Sequence, residues 1–123
     1  MDALAADAKV YRWSEIPEDH PIPLLSRKQV WADRILVAQV HLEKGCHVAP
    51  HSHESEQIAY MVSGRAHWQI GEGENRRELF TTGGEVLHLP SNVVHSVDAL
   101  EDCEIIDMLS PPSKMGIDSQ GAH

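Results

Sequence analysis

The chain has no apolar run long enough to cross a bilayer, so a helical membrane anchor is not expected. Basic residues are scarce: 10 Lys and Arg stand against 19 Asp and Glu, for a formal charge of −9. An acidic chain with no basic patch repels phosphate backbones and anionic lipid surfaces, so neither nucleic acid nor a membrane is an expected partner. Cysteine is almost absent. Cys46 and Cys103 are far apart and in no zinc-type spacing, so they build no disulfide framework. They read as small buried hydrophobes, with a bridge between them the alternative. Met1–Val10 lacks a positively charged start followed by an apolar stretch, so it does not read as a secretory signal and the expected location is cytoplasmic. Any sustained helical period is also missing.

The chain does contain short runs of Val, Ile and Leu between turn residues, in a length of 123 that suits one domain with a real core. Strands are expected at Ile35–Leu42, Val48–His53, Ile58–Val62, Ala66–Ile70, Arg77–Phe80, Val86–Leu89, Val94–Ala99 and Cys103–Leu109. Gly71-Glu72-Gly73-Glu74-Asn75 joins two of them as a turn cluster, and Ser63-Gly64 and Thr82-Gly83-Gly84 punctuate others. This is the pattern of an all-β barrel or sandwich. Residues 1–33, with Pro17, Pro21 and Pro23, read as an irregular arm. Residues 34–112 read as the barrel, and 113–123 as a polar tail that frays or packs loosely.

Histidine is plentiful at nine. Two segments organise three of these residues: Gly45-x5-His51-x-His53-x3-Gln57-x6-Gly64 and Gly84-x5-Pro90-x-Asn92-x2-His95. Residues i and i+2 of a strand share a face, so His51 and His53 form a two-nitrogen claw for a transition metal, with further ligands drawn from elsewhere in the chain. The remaining histidines, His20, His41, His47, His67, His88 and His123, complete neither segment and read as surface or strand residues. His41, His67 and His88 lie on expected strands and are candidates to line a cavity, as is Trp68.

The two segments resemble the paired motifs of the cupin superfamily, small jelly-roll barrels built as a double-stranded β-helix. The family pattern is matched at its three histidines, and the chain departs from it at Gln57 for Glu, Asn92 for Gly and Ala99 for Asn. The resemblance implies that His51, His53, Gln57 and His95 hold one divalent ion inside the barrel. Three imidazoles with one oxygen suit Mn, Fe, Co, Ni or Zn. A carboxamide leaves the ion its full charge where a carboxylate would cancel part of it, which favours anionic or enolate-forming substrates. Glu56, one residue earlier, points to the opposite face of a regular strand, and a bulge would reverse that.

The last expected strand carries Ile105, Asp107 and Leu109 on one face and runs into Ser110-Pro111-Pro112. An acid there is either a solvated strand residue or one buried for a purpose. This end resembles that of the pectin-degradation cupins, which linearise 4,5-unsaturated uronates and carry Asp-x-Phe-Ser-Pro-Pro-Arg at this place. Asp107 matches their acid, whereas Leu109 stands for the aromatic and Ser113 for the arginine; Lys114 is the nearest replacement cation. The resemblance implies ring opening and tautomerisation of an unsaturated uronate, with Asp107 as general acid and base. Two other readings stand beside it. One is metal-dependent oxygenation of a small diketone, polyphenol or thiol; the other is a non-catalytic binding or sensing barrel. A homodimer is expected, since the resemblance implies pairing through a sheet edge, and the proline-rich arm before Ile35 is a candidate to cross to the partner.

Overall fold

In the computed structural model, which describes residues 7–117, the chain forms two antiparallel sheets facing one another. The start of Met1–Val10 and the end of the tail, including His123, lie outside the described residues. The strands are β1 (Leu25–Trp31), β2 (Leu36–Leu42), β3 (His47–His51), β4 (Glu56–Ser63), β5 (Arg65–Ile70), β6 (Arg77–Thr82), β7 (Val86–Leu89), β8 (His95–Ala99) and β9 (Cys103–Ser110). One sheet runs β1-β2-β9-β4-β7 and the other β3-β8-β5-β6. The all-β jelly-roll barrel expected from the sequence is the fold observed. No helix among the described residues is long and apolar enough to cross a membrane.

Period-two alternation builds the lumen. On β2, Leu36, Ala38, Val40 and Leu42 are buried, and on β9 their partners Leu109, Asp107, Ile105 and Cys103 are buried opposite them. Trp68 of β5 fills the core from the second sheet, and its indole N–H donates to Thr81 Oγ1 at 2.8 Å. Gly64 closes the β4–β5 turn at φ +95°, where a Cβ would come within 2.3 Å of the Asp102 carbonyl oxygen, so only glycine fits. Asn92 has φ +67°, the left-handed conformation that asparagine tolerates better than most residues, so its replacement of the family glycine keeps the backbone turn.

Two segments differ from expectation. The supposedly irregular arm contains β1, which pairs with β2 along its full length. Alternation hides it because Arg27 sits at a buried position that the pattern assigns to an apolar residue; Asp19 binds its guanidinium through two contacts, at 2.8 and 3.1 Å. The tail is not loose where it is described: Met115 and Ile117 are buried in the core. Ser55, itself fully buried, holds the start of this segment through Pro111 O and Ser113 Oγ, each at 2.5 Å. Cys46 and Cys103 are free and buried, which settles the alternative of a bridge between them.

Candidate metal centre

His51 ends β3, His53 follows it in the link to β4, and His95 opens β8 directly opposite His51. The register of β3 shifts between Val48 and His51, so strict alternation alone does not place the claw. The three rings nevertheless converge. Centroids lie 4.3 Å apart for His51 and His95, 5.1 Å for His53 and His95, and 6.0 Å for His51 and His53. One ring nitrogen from each lies within 4.8 Å of the others.

Each ring is oriented in the same way. His51 Nδ1 meets Ala49 O at 2.8 Å, His53 Nδ1 meets Ser55 O at 2.8 Å, and His95 Nδ1 meets Val93 O at 3.0 Å. Each backbone carbonyl lies two residues from its histidine and can only accept, so Nδ1 carries the proton and Nε2 keeps the lone pair. His95 Nε2 is buried and has no hydrogen-bond partner. His53 Nε2 faces Gln57 Oε1 at 3.0 Å, and the amide orientation of Gln57 is set by its Nε2, which donates to Asp107 Oδ1 at 2.8 Å. Two lone pairs therefore face each other beside an orphaned buried nitrogen. A cation among them resolves both conflicts, so this donor set of three imidazoles and one carboxamide oxygen fits a divalent transition ion.

Gln57 is the second residue of β4 and is buried, while Glu56 points outward and is exposed, where it meets His88 Nε2 at 2.6 Å. Asp107, on β9 opposite both Ala38 and Ala59, is 5% exposed and inward. Burial pushes its carboxyl up to about 6, against the lowering effect of the Gln57 hydrogen bond. Burial acts in the opposite direction on the imidazoles: His95 is lowered to about 4, with the charge of His51 adding to the effect, and His51 is lowered chiefly by burial. The unprotonated form that a metal needs is thus favoured at both.

The cavity around the cluster has a volume of about 40 Å³ and is partly open to solvent. Val40, Val48, Trp68 and Ile105 supply apolar wall, and Met115 and Ile117 add to it from the C-terminal segment. Of the candidates to line it, Trp68 does so. His41, His67 and His88 instead pair with Glu104, Glu78 and Glu56 on the outside, at 2.5, 2.7 and 2.6 Å. His47 pairs with Asp98 at 2.7 Å, also on an exposed face. Lys114 is exposed, and among the described residues no lysine or arginine lines the cavity. Sequence reading missed Met115 and Ile117; their only signal is two apolar residues at an i, i+2 spacing within a polar tail.

A two-sheet barrel with three imidazoles converging at its centre is a cupin architecture, and the cupin domain family matches residues 38–109, more than half of the chain. The protein belongs to the cupin family. Among solved structures it is similar to KdgF from Halomonas sp., at 25% identity and TM-score 0.75, over 88% of this chain and 97% of that one. It is also similar to an RmlC-like cupin from Shewanella frigidimarina, at 18% identity and TM-score 0.78, over 88% of this chain and 95% of that one. Its fold matches a part of Bacillus subtilis oxalate decarboxylase, at 18% identity and TM-score 0.76, covering 89% of this chain but 32% of the larger one. That decarboxylase carries Mn(II) centres. No curated protein sequence matches the chain.

Proposed function

We propose that the protein is a metal-dependent cupin enzyme in which His51, His53, Gln57 and His95 hold one divalent ion, and that its reaction is ring opening and tautomerisation of a 4,5-unsaturated uronate. The observation that carries this reading is the position of Asp107, a buried carboxyl held 2.8 Å from the amide of Gln57 beside the imidazole cluster and raised to about 6. A group with that affinity for protons can both accept and return one near neutrality. Similarity to KdgF, a cupin of the uronate-linearising group, and the Asp107 to Pro112 pattern point to the same substrate class.

When bound, a divalent ion supplies Lewis acidity that stabilises negative charge on substrate oxygens. The residues of the chain do the rest. Asp107 takes the proton of the anomeric hydroxyl, the bond from the anomeric carbon to the ring oxygen breaks to leave an aldehyde, and the ring oxygen keeps the electron pair as an enolate. Asp107 then returns the proton to the neighbouring alkene carbon, giving a ketone. The overall change is an isomerisation, with no electron acceptor needed. Gln57 donates to Asp107 and so fixes where the carboxyl points. Trp68 and Ile105 exclude water around it.

The apolar wall, with no lysine or arginine among its lining residues, favours one competing reading: oxygenation of a small, weakly charged diketone, polyphenol or thiol. A direct assay separates the two. Metal-replete protein is mixed with 4,5-unsaturated galacturonate, and the ultraviolet absorbance of the conjugated double bond is followed together with dissolved oxygen. Loss of absorbance without oxygen uptake, absent in His95→Ala, supports ring opening. No loss above background rejects it. Binding of small molecules without turnover of any would leave the sensing role. The outer face of the five-stranded sheet carries Ile58, Tyr60, Val62, Val86, Ile106 and Met108, an apolar surface that suits a homodimer.

A further inference from the structure

We propose that a cleft on the outer face of the four-stranded sheet, floored by Ser96 and flanked by Gln69, Glu72 and Arg76, is a second binding site, and that its ligand is a small hydroxy acid with one carboxylate and several hydroxyl groups. The cleft lies back to back with the metal centre and does not depend on that reading. Three observations carry it. The first is the state of Ser96. On β8 the side chains of His95 and Val97 line the metal cavity, so Ser96 between them points outward. Gln69 of β5 is its cross-strand partner on one side. On the other side β3 bulges past it: Val48 pairs with Val97 and His51 with His95, and Ala49 and Pro50 fall between. Ser96 is only 3% exposed, its hydroxyl has no hydrogen-bond partner among the described residues, and it lines the cleft. A buried hydroxyl is costly to leave unpaired, and here the cleft is where its partner must come from.

The second is room. The cleft holds about 190 Å³, against about 40 Å³ around the imidazoles, and is open to solvent. At about 30 Å³ per water that is space for roughly six waters, the bulk of a molecule of five or six carbons. The third is the chemistry of the walls. Arg76 is exposed and its guanidinium makes no ion pair among the described residues, so its planar fork of donors is available to a carboxylate. On a chain of formal charge −9, an anion needs such a group in order to dock. Glu72 stands in the same cleft, where it repels a bare oxyanion but accepts hydrogen bonds from hydroxyl groups. Gln69 and Ser96 can each donate and accept. Pro50 and Val94 give the carbon skeleton an apolar surface. One free cation, one acceptor-only acid and two neutral groups of both kinds match a carboxylate that carries hydroxyls better than phosphate or an uncharged sugar.

Titration of the full-length protein with D-galacturonate, followed by nitrogen–proton correlation spectra, tests the proposal. Saturable shifts are expected at the amides of Gly71 and Gly73 and at the side-chain N–H groups of Gln69 and Arg76. Acetate, which lacks hydroxyls, and D-galactose, which lacks a carboxylate, should each bind about tenfold more weakly or worse. Arg76→Gln, at an exposed position that leaves the fold alone, should weaken D-galacturonate about tenfold, and Ser96→Ala about fivefold. No shifts at these groups, or shifts confined to Ile105 and Asp107 in the metal cavity, would overturn the second site. Equal binding by acetate, D-galactose or inorganic phosphate would overturn the hydroxy acid as its ligand. Unchanged affinity in Arg76→Gln would do the same for the guanidinium as the carboxylate partner, and this variant decides if Ser96→Ala does not fold. Each of these failures leaves the metal centre standing, because neither variant replaces one of its donors.

Discussion

At the scale of single residues, burial acts in opposite directions on Asp107 and His95, raising one to about 6 and lowering the other to about 4. In the metal-free protein, Asp107 binds a proton in the folded state over a window from about 3.8 to 6 where the unfolded chain does not, so its contribution to stability falls as pH rises through that window. His95 does the reverse: between about 6.5 and 4 the unfolded chain binds the proton and the folded one does not, so stability falls as pH drops. The two slopes oppose each other across pH 4 to 6, with the lowered His51 adding to the acid side. Above pH 6 the charged Asp107 costs on the order of 2 to 3 kcal/mol. Asp107→Asn keeps the acceptor for Gln57 and removes that charge. Denaturant titration of metal-free protein should therefore find the variant about 2 kcal/mol more stable at pH 8, with the difference shrinking toward pH 4. Equal stability at pH 8 would mean that the carboxyl is not held at a cost. The same variant should lose turnover while its metal content stays unchanged, and loss of metal along with activity would deny Asp107 a separate role.

At the scale of elements, β1 and the segment that carries Met115 and Ile117 are what the sequence conceals, and for related reasons. Strand reading depends on apolar alternation, and Arg27 breaks it at a buried site by bringing its own counter-charge from Asp19. The tail hides because Met115 and Ile117 are too few to form a pattern. The motifs, by contrast, were legible because each fixed residue meets a strict local need, as Gly64 does against Asp102. Alternation put Asp107 on one face of β9 with Ile105 and Leu109 but left open whether it is solvated or buried, and its bond to Gln57 depends on β9 and β4 being neighbours, which no local pattern states. Removing the counter-charge tests β1. Asp19→Ala should cost about 2 kcal/mol in denaturant titration, less than a fully buried pair because Asp19 is half exposed, and adding Arg27→Met should recover most of it. No recovery would mean that the guanidinium is kept for other contacts. Cys46, on the loop into β3, offers another check. Burial first, then the Asp98 charge, raises its thiol to about 11, so at pH 8 only about one molecule in a thousand carries the thiolate. Native protein should react with a disulfide reagent far more slowly than unfolded protein, and equal rates would show that the loop opens readily.

At the scale of the whole molecule, two sheets enclose the chemistry and leave an apolar outer face on the larger one. If that face joins two copies, Tyr60→Glu, at a 39% exposed position in its middle, should convert a dimer to a monomer in sedimentation, and an unchanged mass would place the contact elsewhere. The chemistry itself depends on one claim, that the imidazoles of His51, His53 and His95 with the carboxamide of Gln57 hold a metal. Titration calorimetry of chelator-stripped protein with zinc tests this most directly. The account predicts one site per chain in the wild type and its loss in His95→Ala, with the circular dichroism of the two proteins unchanged. Binding of full affinity and stoichiometry by His95→Ala would contradict it.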